Sequence, residues 1–210
     1  LFGSIKYVFV AISLVFVRPV TGTELATLNT GVRISDSVQT LWRSQGWSGL
    51  DRIEKYFLTS RVRTLSGYSS LFQFNHALMM AIEADDPTSW AALEQVSRSW
   101  AQQSPKTPVA HLAVALVLYN RGWHIRGSGF ASTVTPAQWN GFRDYTERAR
   151  AYLLENKPVA SLNPLWHQLI LRIGLSSSME AQEFRQVLDE GLSIYPDYTG
   201  LHLVALDRFS

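Results

Sequence analysis

The sequence predicts an all-α protein, and three observations carry that reading: cap-plus-proline helix starts, apolar positions spaced for helices, and an internal repeat of helix pairs. The starts are Asp86-Pro87, Thr107-Pro108, Thr135-Pro136 and Asn163-Pro164. Proline suits the first helical position because its missing N–H would be unpaired there, while the residue before it can accept from a free amide. Thr135 with Gln138 three residues on reads as a capping box. No run of alternating apolar and polar residues bounded by turns stands out as a strand.

The helical faces follow in order. Two helices are expected over residues 51–65 and 69–84, separated by "SGYSS". Trp90, Leu93, Val96 and Trp100 form one stripe; Trp139, Phe142, Thr146, Ala149 and Leu153 form another. Ala181, Phe184, Leu188, Gly191 and Tyr195, widened by Val187 and Leu192, form a third. The stretch "VAHLAVALVLY" (109–119) is apolar nearly all round, which predicts a central, buried helix. Seven to nine helices in antiparallel pairs are expected.

Residues 93–119 align without gaps on residues 184–209 at an offset of 91: Gln95 meets Gln186, Val96 Val187, Pro105 Pro196, and His111-Leu112 His202-Leu203. Each copy reads as helix, proline-bearing turn, helix, and residues 145–173 have the same shape with a longer turn. Stacked hairpins of this kind bury their apolar faces against their neighbours, so the expected architecture is a tetratricopeptide-like right-handed solenoid of antiparallel helix pairs.

Composition narrows the function. Hydrophobic residues make up 46% and charged residues 17% of 210, which fits a folded chain of one domain. The net charge of +2 resides in the first 22 residues, which hold Lys6 and Arg18 and no acid. Without those two, the 19 basic side chains become 17, equal to the 17 acidic ones. A neutral body lacks the basic face that nucleic acid requires. With no cysteine there is no disulfide, thiolate metal site or cysteine nucleophile.

Residues 1–22 are expected to be a signal peptide cut after Gly22 or an uncleaved N-terminal membrane anchor, with a buried strand as a third reading. The apolar run Tyr7–Val17 follows Lys6 and precedes Arg18-Pro19. At 1.5 Å per residue it is too short for about 30 Å of hydrocarbon but suits a signal sequence. This implies export, to a periplasm or a membrane-anchored position, with a cytoplasmic chain as the alternative. Residues 23–210 are expected to form a single helical repeat-like domain. Its apolar pattern is still running at the C-terminus, so the domain is expected to continue beyond it.

The segment "NRGWHIRGSGFASTVT" (120–135) is the one place that invites a chemical reading. It follows a helix and lacks the lysine of a phosphate-binding loop, and Ser128 lies in Gly-Ser-Gly instead of a strand-to-helix nucleophile elbow. Arg121, His124 and Arg126 could converge on an anion, with Gly127 and Gly129 exposing backbone amides. The structural reading gives Gly122, Gly127 and Gly129 positive-φ turns, has Trp123 and Phe130 plug the loop into the fold, and lets Arg126 tie down carbonyls.

None of the five histidines (His76, His111, His124, His167, His202) pairs with another at ligand spacing, so no metal and no cofactor is expected. His111 and His202 read as packing residues. Of the acidic cluster Glu83, Asp85 and Asp86, the last reads as a helix cap. Trp90, Trp100, Trp139 and Trp166 fall on core stripes, whereas Trp42, Trp47 and Trp123 lie near helix ends and are the surface candidates.

The combination "RGSGFASTVTPAQWNGF", the preceding "HLAVALVLYNRGWHI", the upstream "SQGWSGLDRIEKYFLTSRVRTLSGYSSLFQF" and the later "ILRIGLSSSMEAQEFRQVLDEGLSIYPDY" resembles the bacterial family catalogued as domain of unknown function 4034. The likeness covers about residues 40–210 and implies a helical, tetratricopeptide-type protein. It carries no activity or site residues over.

The leading functional expectation is therefore a binding module without catalysis, of adaptor or immunity type, that holds a protein or peptide. Tyr119, Arg126, Trp139 and Arg143 are its candidate contacts, and the membrane is met only through the N-terminal segment. The alternative is an enzyme or ligand-binding protein using Arg121, His124, Arg126 and Ser128 on an anionic small molecule. A structural spacer is the third class.

Overall fold

The apolar run Val109–Tyr119 becomes the centre of the molecule: every residue in it is buried. It belongs to α6 (Pro108–Arg126) in a computed structural model that describes residues 21–177 and 179–209. The segment 1–20 lies outside the described residues, and with it almost all of the expected signal sequence or anchor.

Before α6 come α1 (Gly22–Thr27), α2 (Gly31–Arg43), α3 (Trp47–Ser60), α4 (Ser70–Ala81) and α5 (Pro87–Gln103). After it come α7 (Pro136–Glu155), α8 (Lys157–Ala160), α9 (Leu165–Ser176), α10 (Ala181–Ile194) and α11 (Thr199–Phe209). These eleven helices among the described residues exceed the expected seven to nine, chiefly because α1 and α8 are short pieces without a sequence period of their own. Helix α2 packs on α3 and α4, α6 lies between α5 and α7, and α9 meets α10 and α11. No helix among the described residues is long and apolar enough to cross a membrane.

Of the four expected cap-plus-proline starts, three are held by the residue before the proline and one is not. Thr21 and Glu24 close a capping box on α1, so a cut after Gly22 would remove that cap. Thr135 and Gln138 close one on α7. Asp86 Oδ1 accepts from the amides of Thr88 and Ser89 and Oδ2 from the Ser89 hydroxyl; that hydroxyl first, and then the amides, hold its carboxyl below the usual carboxylate range. Asn163 Oδ1 accepts from the amide of Leu165 at 2.9 Å. The Thr107 side chain, however, makes no cap bond. Its place is taken from afar: Glu54, buried on α3, accepts from the Val109 amide at 3.0 Å.

Helix α3 also departs from expectation. It begins four residues before Asp51 and stops at Ser60, because Arg61 turns left-handed at φ 48 and ends it. Thr59 and Ser60 bond back to the helix carbonyls in this last turn. The chain then crosses to α4 through an isolated bridge between Arg63 and Ser69.

The repeat holds at the level of individual hydrogen bonds. His111 Nε2 meets the Pro105 carbonyl at 3.0 Å, and 91 residues on His202 Nε2 meets the Pro196 carbonyl at 2.6 Å. Around them Ser104 N donates to Trp100 O and Thr107 N to Ser104 O, as Tyr195 N does to Gly191 O and Tyr198 N to Tyr195 O. The turn is the same object twice. His111 is buried and also meets the Tyr152 hydroxyl, whereas His202 is exposed.

Helices α6 and α7 approach closely at Gly122, where an added Cβ would lie 3.3 Å from both the Phe142 carbonyl and Thr146 Cγ2. Gly122→Val is therefore expected to destabilise by about 1–3 kcal/mol through overpacking, read as a lowered midpoint in denaturant.

Candidate functional site

The faces of α6 decide which of the candidate residues meet. Tyr119, Asn120, Trp123 and His124 fall on one side by helical spacing and line a cleft of about 630 Å³. Its opposite walls are the end of α4 and the following turn (Met79, Met80, Ile82, Glu83, Ala84, Asp85), Trp90 of α5, and Arg172 of α9. Asn120 fixes one wall by donating from Nδ2 to the carbonyls of Met79 and Ile82 at 3.1 and 2.9 Å, which satisfies the otherwise open end of α4. A second hollow of about 390 Å³ shares Tyr119, Trp123 and Arg172 with the first and adds Arg126, Trp139, Phe142, Leu175, Ser176 and Asp207.

Arg126 is held within its own loop. Its guanidinium lies over the rings of Trp123 and Trp139, at 5.3 and 5.2 Å. It donates to the carbonyls of Gly127 (2.9 Å) and Gly129 (3.1 Å), so the arginine ties down the loop. Of the three glycines expected at positive φ only Gly127 adopts it, at 76°. Gly122 is helical and serves packing instead. Phe130 does not plug the loop, being 86% exposed, and Trp123 keeps 39% of its surface open while packing edge-on against Phe142. Ser128 is exposed on this loop.

Arg121 points elsewhere. It pairs with Glu94 at 3.7 Å and lies over the Tyr145 ring at 4.5 Å. Glu94 also receives Arg98 and Arg148, at 3.1 and 2.8 Å. Arg143 is exposed and donates to Asn140 Oδ1 at 2.6 Å. The structure thus brings Tyr119 together with His124 in the first cleft, and with Arg126 and Trp139 in the second. It sends Arg121 to another face of α6 and leaves Arg143 on the exposed face of α7, because successive helical residues are about 100° apart, while Ser128 stays exposed on the loop between the two helices.

Arg172 was missed in the sequence, although a signal existed: it is the only charged residue in the apolar helix "LWHQLILRIGLS". Its Nε is buried with no hydrogen-bond partner and the side chain makes no ion pair with any described residue, while the guanidinium donates a hydrogen bond to the Tyr119 hydroxyl. The guanidinium faces the Tyr119 phenol, whose pKa is raised by burial against the lowering influence of Arg172 and of the Trp123 indole. Trp90, almost wholly buried in the wall of the larger cleft, likewise has an Nε1 donor without a partner.

Two of the expected surface tryptophans are drawn into packing, Trp42 fully and Trp47 by half. Trp42 is buried and Trp47 stacks on Trp100 with ring centroids 4.8 Å apart, forming a three-ring cluster that joins the ends of α2, α3 and α5. Their partner lies more than fifty residues downstream. His167, fully buried beside Trp166, lies 3.6 Å from Glu190; burial, more than that carboxylate, sets its lowered pKa. Among the described residues no three His, Asp or Glu side chains gather into a metal-holding group.

No curated protein and no solved structure matches the chain. The family model described as domain of unknown function (DUF4034) matches residues 36–176, so the span takes in α3–α9, the whole loop after α6 and Arg172, and leaves out α10 and α11. The resemblance read over the later residues therefore lies partly outside the match. With two thirds of its length matched, from within α2 to the last residue of α9, the chain belongs to the DUF4034 family.

Proposed function

We propose that this chain is a binding module that holds a segment of a peptide or protein in the cleft between α4, α5, α6 and α9, without chemistry of its own. The observation that carries the reading is the open, aromatic-walled cleft lined by Tyr119, Trp123 and Trp90 together with Arg172, a cation that makes no ion pair with any described residue. On this reading the helix pairs stack as a right-handed, tetratricopeptide-like solenoid, which presents such a surface along its repeats. The role is that of an adaptor or an immunity-type partner of an exported protein, with residues 1–22 directing export or anchoring the chain. The enzyme alternative has less support: Arg121 is paired with Glu94, and Arg126 is bound to its own loop.

The test is capture on the full chain, tagged, from envelope and secreted fractions, with mass spectrometry of what is retained. A stoichiometric protein, displaced by untagged chain, is expected. Trp123→Ala should lower its retention by about tenfold or more, since truncated aromatic anchors commonly cost this much, while Ser128→Ala should leave it unchanged. Retention of nothing beyond a blank support, or equal retention by Trp123→Ala, would remove the reading.

A further inference from the structure

The ligand chemistry of the cleft can be taken further, resting on the binding-module reading. We infer that Arg172 receives a carboxylate of the bound peptide, while a cationic group of the same ligand meets Glu83 and Asp85 at the rim.

A partly buried arginine with no carboxylate partner is costly in the free protein, because desolvation weakens its hydration and the Tyr119 hydroxyl replaces only part of it. A carboxylate supplies what is missing. Its two oxygens match the guanidinium fork. Arg172 lines the 630 Å³ cleft, a volume suited to a few residues of peptide. Tyr119, Trp123 and Trp90 provide apolar walls for its side chains.

The surrounding charges select a single negative charge over a doubly charged phosphate. Glu83 and Asp85 line the same cleft and are exposed, Asp207 lines the adjoining hollow with Arg172, and Arg126 already bonds its loop carbonyls. One available guanidinium among three carboxylates suits a monoanion, and the acids favour a ligand that also carries a positive group.

The first experiment needs no ligand. Arg172→Met keeps the unbranched stem of the side chain and removes the unpaired charge, so the free full-length protein is expected to melt a few degrees higher, as when a buried charge is replaced by an apolar side chain. A lower melting temperature would make Arg172 a structural residue and overturn the inference.

The second follows tryptophan fluorescence and calorimetry with the tripeptides Lys-Ala-Phe and Lys-Ala-Leu as free acids, their C-terminal amides, Lys-Glu-Phe amide, and inorganic phosphate. Wild-type protein should bind at least one carboxylate-bearing peptide. Arg172→Met should weaken it by about tenfold or more. Glu83→Gln combined with Asp85→Asn should weaken it by a smaller factor, because these acids are exposed and screened. Binding of the free acids but not their amides assigns the chain terminus; binding of Lys-Glu-Phe amide assigns an acidic side chain. Tighter binding of phosphate than of every peptide, equal binding of Lys-Ala-Phe amide and its acid, or no peptide bound at millimolar concentration would each overturn the inference. If Trp123→Ala still abolishes capture of the protein partner in that case, the carboxylate assignment alone has failed and the binding module stands.

Discussion

Replacing Glu54 with alanine is expected to destabilise the protein by about 3–5 kcal/mol, because two buried donors lose their acceptor and a cavity opens. Glu54 Oε2 accepts from the Val109 amide at 3.0 Å and Oε1 from Asn163 Nδ2 at 2.7 Å. Asn163 is bonded in turn to Asn75, Asn75 to the Tyr198 hydroxyl, and that hydroxyl to Gln168. All five side chains are buried, so one chain of hydrogen bonds locks α3, α4, the start of α6, α9 and the second repeat turn together. Breaking it at its acidic end leaves the α6 N-terminus uncapped, since Thr107 offers no substitute. Equilibrium unfolding in urea measures the loss.

The same residue makes stability depend on pH. Burial pushes the Glu54 carboxyl up to about 8 against the lowering influence of its two hydrogen bonds. Between the ordinary value of 4.5 and about 8, the unfolded chain has released this proton and the native chain still holds it. The native state binds more protons, so stability falls as pH rises through this window, and the contribution is fully present below it. Glu54→Gln cannot titrate. The difference in melting temperature between wild type and this variant should therefore shift in favour of the variant as pH rises through the window; a constant difference would show that Glu54 does not hold a proton in the native state.

The second large effect is expected at Trp100, fully buried where α2, α3 and α5 meet. It stacks on Trp47, lies 6.5 Å from Trp42, and donates from Nε1 to Asp51 Oδ1 at 3.1 Å. Ser104 donates to the other oxygen of the same carboxylate at 3.0 Å. Trp100→Ala should cost about 3–5 kcal/mol, the sum of lost burial and an unfilled cavity. Trp100→Phe keeps the ring contact and loses only the hydrogen bond and some volume, for roughly 1–2 kcal/mol. Urea denaturation of the three proteins in parallel checks both figures; similar losses for the two variants would assign the effect to the Asp51 bond instead of the aromatic packing.

Features that depend on neighbours along the chain were legible in the residues alone. The all-round apolar run of α6 needed only its composition to be read as buried. The Asp86 and Thr135 caps needed only the three residues after them, and the 91-residue repeat was visible in a handful of matched side chains. Periodicity also placed Phe142, Thr146, Ala149 and Leu153 on the buried face of α7.

What the tertiary structure decided is where the partner lies far away in sequence. The cap of α6 comes from Glu54 and not from Thr107, and no local rule distinguishes the two. Trp42 and Trp47 look exposed at helix ends until Trp100 arrives from α5 to pack against them, burying Trp42 and half-burying Trp47. Arg121 and Arg126 look like one cluster in the sequence, yet five residues turn a helix by about 500°, so one meets Glu94 and the other its own loop. Arg172 is the reverse case, remote in sequence and placed beside Tyr119 and Trp123 by the packing of α9 near α6. Helical period and caps are short-range physics, carried by neighbouring residues. The cleft is a meeting of four helices, α4, α5, α6 and α9, and only the packed core brings its walls together.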